Sequence, residues 1–142
     1  MAYKEKNFQQ EFKTKNTNFG CFELKLCKGK SLPFSAIAEH QIAALLAVSS
    51  PDGLYHKLTD QPVSIQEKTK NMRFTRPKPF DCFFLQEQAA EIVIMFYVPR
   101  KKKTVYYIDI SDFVEMKRKA TRKSITEDMA QVACSEVKSY MK

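Results

Sequence analysis

Phe22-Glu-Leu-Lys25 sets a carboxylate and an ammonium two residues apart within the apolar run Cys21–Cys27. Side chains two apart on a strand share a face. Glu23 and Lys25 therefore project side by side with Cys21 and Cys27, while Phe22, Leu24 and Leu26 take the other face. The strand reads as central, where a charge is costly unless paired or bound to a metal. A carboxylate so placed can hold a divalent cation. The neighbouring ammonium can hold a nucleophilic water or the charge that develops on a phosphate. The plainer alternative is a solvated face of an edge strand.

Other polar residues also stand where apolar ones would be expected. A helix that follows the strand carries the stripe Ile37, Gln41, Ala44, Leu45, Val48, so Gln41 lies on its core face. A buried amide needs hydrogen-bond partners, and the start of this helix can return over the Glu23 strand. His40, on a more exposed flank, is a candidate phosphate contact. Glu11 lies at the margin of an apolar side formed by Phe8 and Phe12. Asp81 interrupts the apolar segment Pro79–Leu85, with Lys78 just before it. Each has a structural alternative: a satisfied core glutamine, a surface glutamate, a solvated strand start. Asp109 sits at a strand end beside Ser111, where a structural role is favoured.

These residues need elements to position them. Spacing predicts a helix over 4–15 and a strand over 21–27. A loop at 28–33 follows, then a helix with Ser35 as its N-cap, running to about Val48. A short strand is expected over 54–58, then mostly loop to 78. Strands follow over 79–85, 91–98 and 104–110, the last two joined by the hairpin-sized Pro99–Lys103. Ser111 is read as capping a helix over 112–119. Ser124-Ile-Thr-Glu127 matches a capping box. It opens a final helix with the stripe Ile125, Met129, Val132, Ala133, Val137, Tyr140. Helices around a run of strands imply an α/β or α+β sheet flanked by helices. One domain over 1–142 is expected, with a helical C-terminal segment at 111–142.

Composition sets the bounds. The chain has 142 residues, 44% hydrophobic and 28% charged, with aromatics making up 12%. That is ordinary for a globular domain and argues against long disorder. The apolar runs Ile42–Val48 and Ile92–Val98 are too short to span a membrane. No apolar h-region follows Met1–Lys6, so no secretory signal is expected. Cys21, Cys27, Cys82 and Cys134 form no CxxC pair and fit no zinc module with His40 and His56. They read as small, reduced, buried residues of a cytoplasmic protein.

The net charge of +8 makes a polyanionic partner plausible. Arg100, Lys101, Lys102 and Lys103 form a hairpin tip, Lys28 and Lys30 flank a glycine, and Lys117, Arg118, Lys119, Arg122 and Lys123 form a further cluster. Such charges contact phosphates without reading sequence. Each run could equally be a solvated turn.

Taken together, Phe22–Lys25, Leu32–Ser35 and His40-Gln41 resemble the PD-(D/E)XK nuclease superfamily. The likeness is to the RecU-like Holliday junction resolvases and their phage relatives, and it covers about residues 8–115. It implies an α/β fold with a restriction-endonuclease-like core, a central mixed β-sheet flanked by helices. The family's metal-binding aspartate normally lies on the strand just before E-x-K, yet Asn16–Phe22 contains no Asp. Lys78-Pro-Phe-Asp81 looks like that strand placed later. The expectation is a permuted core, with the aspartate strand after the E-x-K strand and its helix and packed beside Glu23.

The resemblance implies metal-dependent hydrolysis of a DNA phosphodiester, most naturally in a branched or four-way junction. Asp81 and Glu23 would hold Mg²⁺ or Mn²⁺. Lys25 would position water or neutralise the phosphate, Gln41 would orient Lys25 or the water, and Glu11 would reach the metal through water. His40, Lys28, Lys30 and Arg100–Lys103 would contact DNA. A homodimer is expected in the cytoplasm of a bacterial or phage-infected cell, with no membrane partner. The alternatives are a non-catalytic nucleic-acid-binding module with the nuclease fold and a small interaction protein with no nucleic acid partner.

Overall fold

A computed structural model describes residues 2–57 and 82–140. It is an α/β protein built on a mixed sheet. The elements in chain order are α1 (Glu5–Lys15), β1 (Cys21–Cys27), β2 (Ser31–Pro33), the short 3₁₀ turn Phe34–Ala36, and α2 (Glu39–Ser49). Then come β3 (Leu54–Lys57), β4 (Cys82–Leu85), β5 (Ala90–Phe96) and β6 (Lys103–Asp109). The chain closes with α3 (Ile110–Lys119), β7 (Ser124–Thr126), α4 (Glu127–Ala133) and β8 (Glu136–Tyr140).

The central sheet runs β1-β5-β6-β8. β1 lies parallel to β5, with Glu23 opposite Ile92 and Lys25 opposite Ile94. β5 and β6, and β6 and β8, are antiparallel. β2–β7 and β3–β4 form separate two-stranded pairs.

Alternation along the strands divides the interior in two. Phe8 and Phe12 of α1 pack with Val93, Met95, Val105 and Tyr107 on one face, against Phe22, Leu24 and Leu26 of β1. On the other face Ile92, Ile94, Phe96, Tyr106 and Ile108 meet α2, α3 and the Phe34 turn. β5 is covered on both faces, so Ile92–Phe96 is an unbroken apolar run rather than an alternating one. Gly20 lets the chain enter β1: a Cβ there would lie 2.7 Å from the Ala89 carbonyl oxygen, which accepts the Cys21 N–H at 2.8 Å.

Four expectations change. β1 is not central: among the described residues it pairs only with β5, which places Glu23 and Lys25 on an edge strand. The second helix is capped at Ala38 rather than Ser35 and starts at Glu39, after the 3₁₀ turn. The long final helix is really β7, a short α4 and β8. Thr126 accepts the Met129 N–H at 3.3 Å and opens α4, and the backbone turns extended at Cys134. The next residues complete β6, whose open edge would otherwise leave ladder groups unpaired. The helical stripe is misleading, because Val132 is 88% exposed while Tyr140 is buried on the α1 face. Ser111 is not the cap of α3; its N–H donates to the Asp109 carboxylate at 3.0 Å, which gives Asp109 its structural role.

No helix among the described residues is long and apolar enough to cross a membrane. The four cysteines are free thiols, Cys27 buried and the others half-buried.

Candidate active site

The E-x-K pair and the helix glutamine meet. Alternation on β1 turns Glu23 and Lys25 away from α1 and toward α2. The Lys25 Nζ lies 3.3 Å from Glu23 Oε1. Gln41, in the first turn of α2, donates from Nε2 to the same oxygen at 3.0 Å. Its Oε1 accepts the Ala38 N–H at 2.9 Å, satisfying one of the free donors at the start of the helix. These two bonds fix the orientation of the amide: oxygen toward the helix, nitrogen toward the strand. Gln41 is thus both a backbone-satisfying glutamine and the link between α2 and Glu23. The side chains of Lys25 and Glu23 are 17% and 27% exposed, so the pair is shielded yet reachable.

Glu11 is not part of this group. It projects from α1 on the opposite side of the sheet. There it accepts from the Tyr3 hydroxyl at 2.5 Å and from Lys103 Nζ at 2.7 Å, with Lys15 at 3.4 Å. Burial pushes its carboxyl pKa up, but the bonds from Lys103 and Tyr3 outweigh this and hold it below the ordinary 4.5. Lys103 is correspondingly no DNA contact. It is only 8% exposed, paired with Glu11 and seated over the Tyr3 ring. Its place at the start of β6, rather than in the turn, accounts for this.

Asp81 lies outside the described residues. The strand that follows it, β4, pairs with β3 through Cys82–Lys57 and Leu85–Leu54. The expected pairing of the Asp81 strand with β1 is therefore corrected for residues 82–85. Among the described residues no three His, Cys, Asp or Glu side chains group as metal ligands.

The other basic clusters that the sequence singles out fall in two places, with His40 apart from both. Because β1 and β5 are parallel, their C-terminal ends lie together, linked by the Tyr97 N–H to Cys27 carbonyl bond at 2.8 Å. The exposed Lys28, Lys30, Arg100, Lys101 and Lys102 gather at this end of the sheet. His40 is exposed on α2 beside Gln41.

The second place is a groove of about 620 Å³ between the start of α2 and the segment after α3. It is lined by Ala38, Glu39, Lys117, Arg122 and Lys123 among others. Lys117 Nζ bonds Glu39 at 2.8 Å. The sequence marks these cations as a charge cluster but does not show their place beside α2. Only tertiary packing brings them to Ala38, the residue whose N–H anchors Gln41. Comparison with models of known protein families, with curated proteins and with solved structures found no match.

Proposed function

We propose that the protein is a metal-dependent, structure-selective DNA endonuclease on a restriction-endonuclease-like core, acting on four-way junctions. The observation that carries this reading is the convergence of Gln41 Nε2 and Lys25 Nζ on a single oxygen of Glu23. It rests on these residues and assigns no step to Glu11 or Asp81.

The carboxylate fits a divalent cation in one respect. Oε1 is taken by Gln41 and Lys25, whereas no hydrogen bond reaches Oε2 among the described residues. Magnesium is often held by one or two carboxylates with waters and substrate phosphate completing the shell. Bound there, magnesium or manganese would supply Lewis-acid activation of a water and neutralise charge on the scissile phosphate. Gln41 holds the Glu23 carboxylate in one rotamer, so that Oε2 is presented in a fixed direction. Lys25 sits where its ammonium can leave Oε1 for a phosphate oxygen, offsetting the charge that grows as the water attacks. The cations of the α2 groove and of the strand-end cluster hold the DNA backbone without reading bases.

A specific observation favours a second reading, a non-catalytic nucleic-acid-binding module. Glu23 is the one carboxylate bonded within this group among the described residues, and its charge is already matched by Lys25. One experiment separates the two. Labelled four-way junction and linear duplex are incubated with the protein in Mg²⁺, Mn²⁺ or EDTA, and junction affinity is measured against salt. Metal-dependent nicking of the junction with duplex largely intact is expected. Equal cutting of both would remove the junction preference, and no cutting in any divalent metal would leave the binding module. Under either reading affinity should fall steeply with salt. Replacing Lys101 and Lys102 by alanine should reduce the slope by about one for each phosphate that the variant no longer neutralises.

A further inference from the structure

We infer that β8 is a self-association edge and that two copies of this chain join through it to make one continuous antiparallel sheet. This does not rest on the nuclease reading.

β8 lies at the end of the central sheet and is hydrogen-bonded to β6 on one side. Among the described residues no strand covers its other side. An uncovered edge offers a row of backbone donors and acceptors ready to pair with another strand. On one face the edge carries Val137 beside Ser139, with apolar surface next to it on α4. Val137 is 48% exposed and Val132, on the neighbouring α4, is 88% exposed. Met116, Met129, Val132 and Ala133 line an apolar groove on the same side of the sheet.

Charge chooses the partner and the register. Glu136 and Lys138 lie on the other face of β8, on the side of α1. Within one chain Lys138 Nζ is 3.6 Å from Glu136 Oε1, a long contact. Asn18 Nδ2 donates to Glu136 Oε2 at 2.6 Å, and Lys138 lies over the Tyr107 ring and 3.5 Å from Thr17 Oγ1, so each keeps its charge for a partner across the edge. Consider two copies arranged antiparallel about a two-fold axis at Val137, so that the helices of both remain on one side of the sheet. Val137 then faces Val137 of the second copy. Glu136 faces Lys138 of the second copy, and Lys138 faces its Glu136. Registers centred on Glu136 or on Lys138 set like charges against each other. Directly opposed side chains are the unit of sheet stabilisation, favourable for opposite charges and unfavourable for like ones. The strand is therefore self-complementary in the sense that a two-fold interface requires: Val137 against Val137 flanked by Ser139 against Ser135 on one face, two crossed ion pairs on the other.

The test is sedimentation equilibrium of the full chain at tens of micromolar, with circular dichroism to verify folding. The wild type should be dimeric. Glu136→Lys and Lys138→Glu each place two like-charge pairs across the axis and should each weaken the dimer by at least about tenfold. An equimolar mixture of the two variants restores both opposite-charge pairs and should regain the dimer. The doubly exchanged chain, E136K with K138E, should also dimerise. That chain carries the result if a single variant folds poorly. A monomeric wild type would overturn the proposal. So would single variants as dimeric as the wild type, or a mixture of variants that stays monomeric.

Discussion

Replacing Lys25 by alanine is expected to lower the rate of junction nicking by about 10²–10³-fold, the range found when one preorganised charge-stabilising group is lost. Junction affinity should change little, because the cations proposed to hold the backbone lie in the α2 groove and at the strand ends. Lys25 is 17% exposed and its packing is that of an aliphatic stem on the α2 face of β1. Lys25→Met keeps most of that stem and should show the same loss, separating charge from packing. The measurement is single-turnover cleavage at saturating protein, alongside junction binding in EDTA. A variant that cuts at the wild-type rate removes Lys25 from the chemistry. Gln41→Ala should have a smaller effect on rate, since Glu23 keeps its charge and loses only the bond that fixes its direction.

Glu11→Ala should instead cost stability, by about 2 kcal/mol. Breaking one partner of a fully buried pair costs about 3–5 kcal/mol, and Glu11, at 22% side-chain exposure, is less than fully buried. The loss comes from Lys103, whose buried ammonium would be left without its carboxylate, and from the freed Tyr3 hydroxyl. Urea unfolding at neutral pH measures it. The sign with pH follows from the lowered carboxyl pKa of Glu11 in the folded chain. Its contribution is fully present above the unfolded value near 4.5 and is lost as pH falls through the lower folded value. The gap between wild type and variant should therefore close in acid. A gap that widens in acid, or no gap at pH 7, would contradict the ion pair's role. Nicking should persist in Glu11→Ala under conditions where it remains folded, because the sheet separates Glu11 from Glu23.

What could be read from the chain alone divides by sequence distance. The strand Cys21–Cys27 has the bounds its alternation implies, and α1 begins one residue later than expected. Both are marked by local periodicity. The approach of Gln41 to Glu23 was also legible, because one strand and the next long helix must lie close and the misplaced amide pointed inward. The pairing of Glu11 with Lys103 was not, since nothing local to α1 or β6 announces that they meet. Charge alone therefore assigns both residues to the wrong partners. The end of the chain failed for a different reason. Val132, Val137 and Tyr140 satisfy a helical stripe, and only the unfilled edge of β6 makes an extended strand the better use of residues 136–140. The groove beside α2 depends on the packing of α3 against α2 and has no counterpart in sequence spacing.

The parallel pairing of β1 with β5 carries a kinetic consequence. β5 and β6 are joined by the short loop 97–102 and meet as a local hairpin, Phe96 opposite Thr104. β1 reaches β5 only after the chain between Cys21 and Ala90 has been closed into a loop. Loop closure costs entropy before the contacts reward it, and such distant pairings form late. The hairpin should therefore act as the early nucleus and β1 should dock onto it afterwards. Glu23 and Lys25 thus belong to the last strand in and the first to open. Amide hydrogen exchange is expected to show this, with β1 amides exchanging through a partial opening while those of β6 wait for global unfolding. Equal protection in the two strands would mean that the sheet opens as one unit.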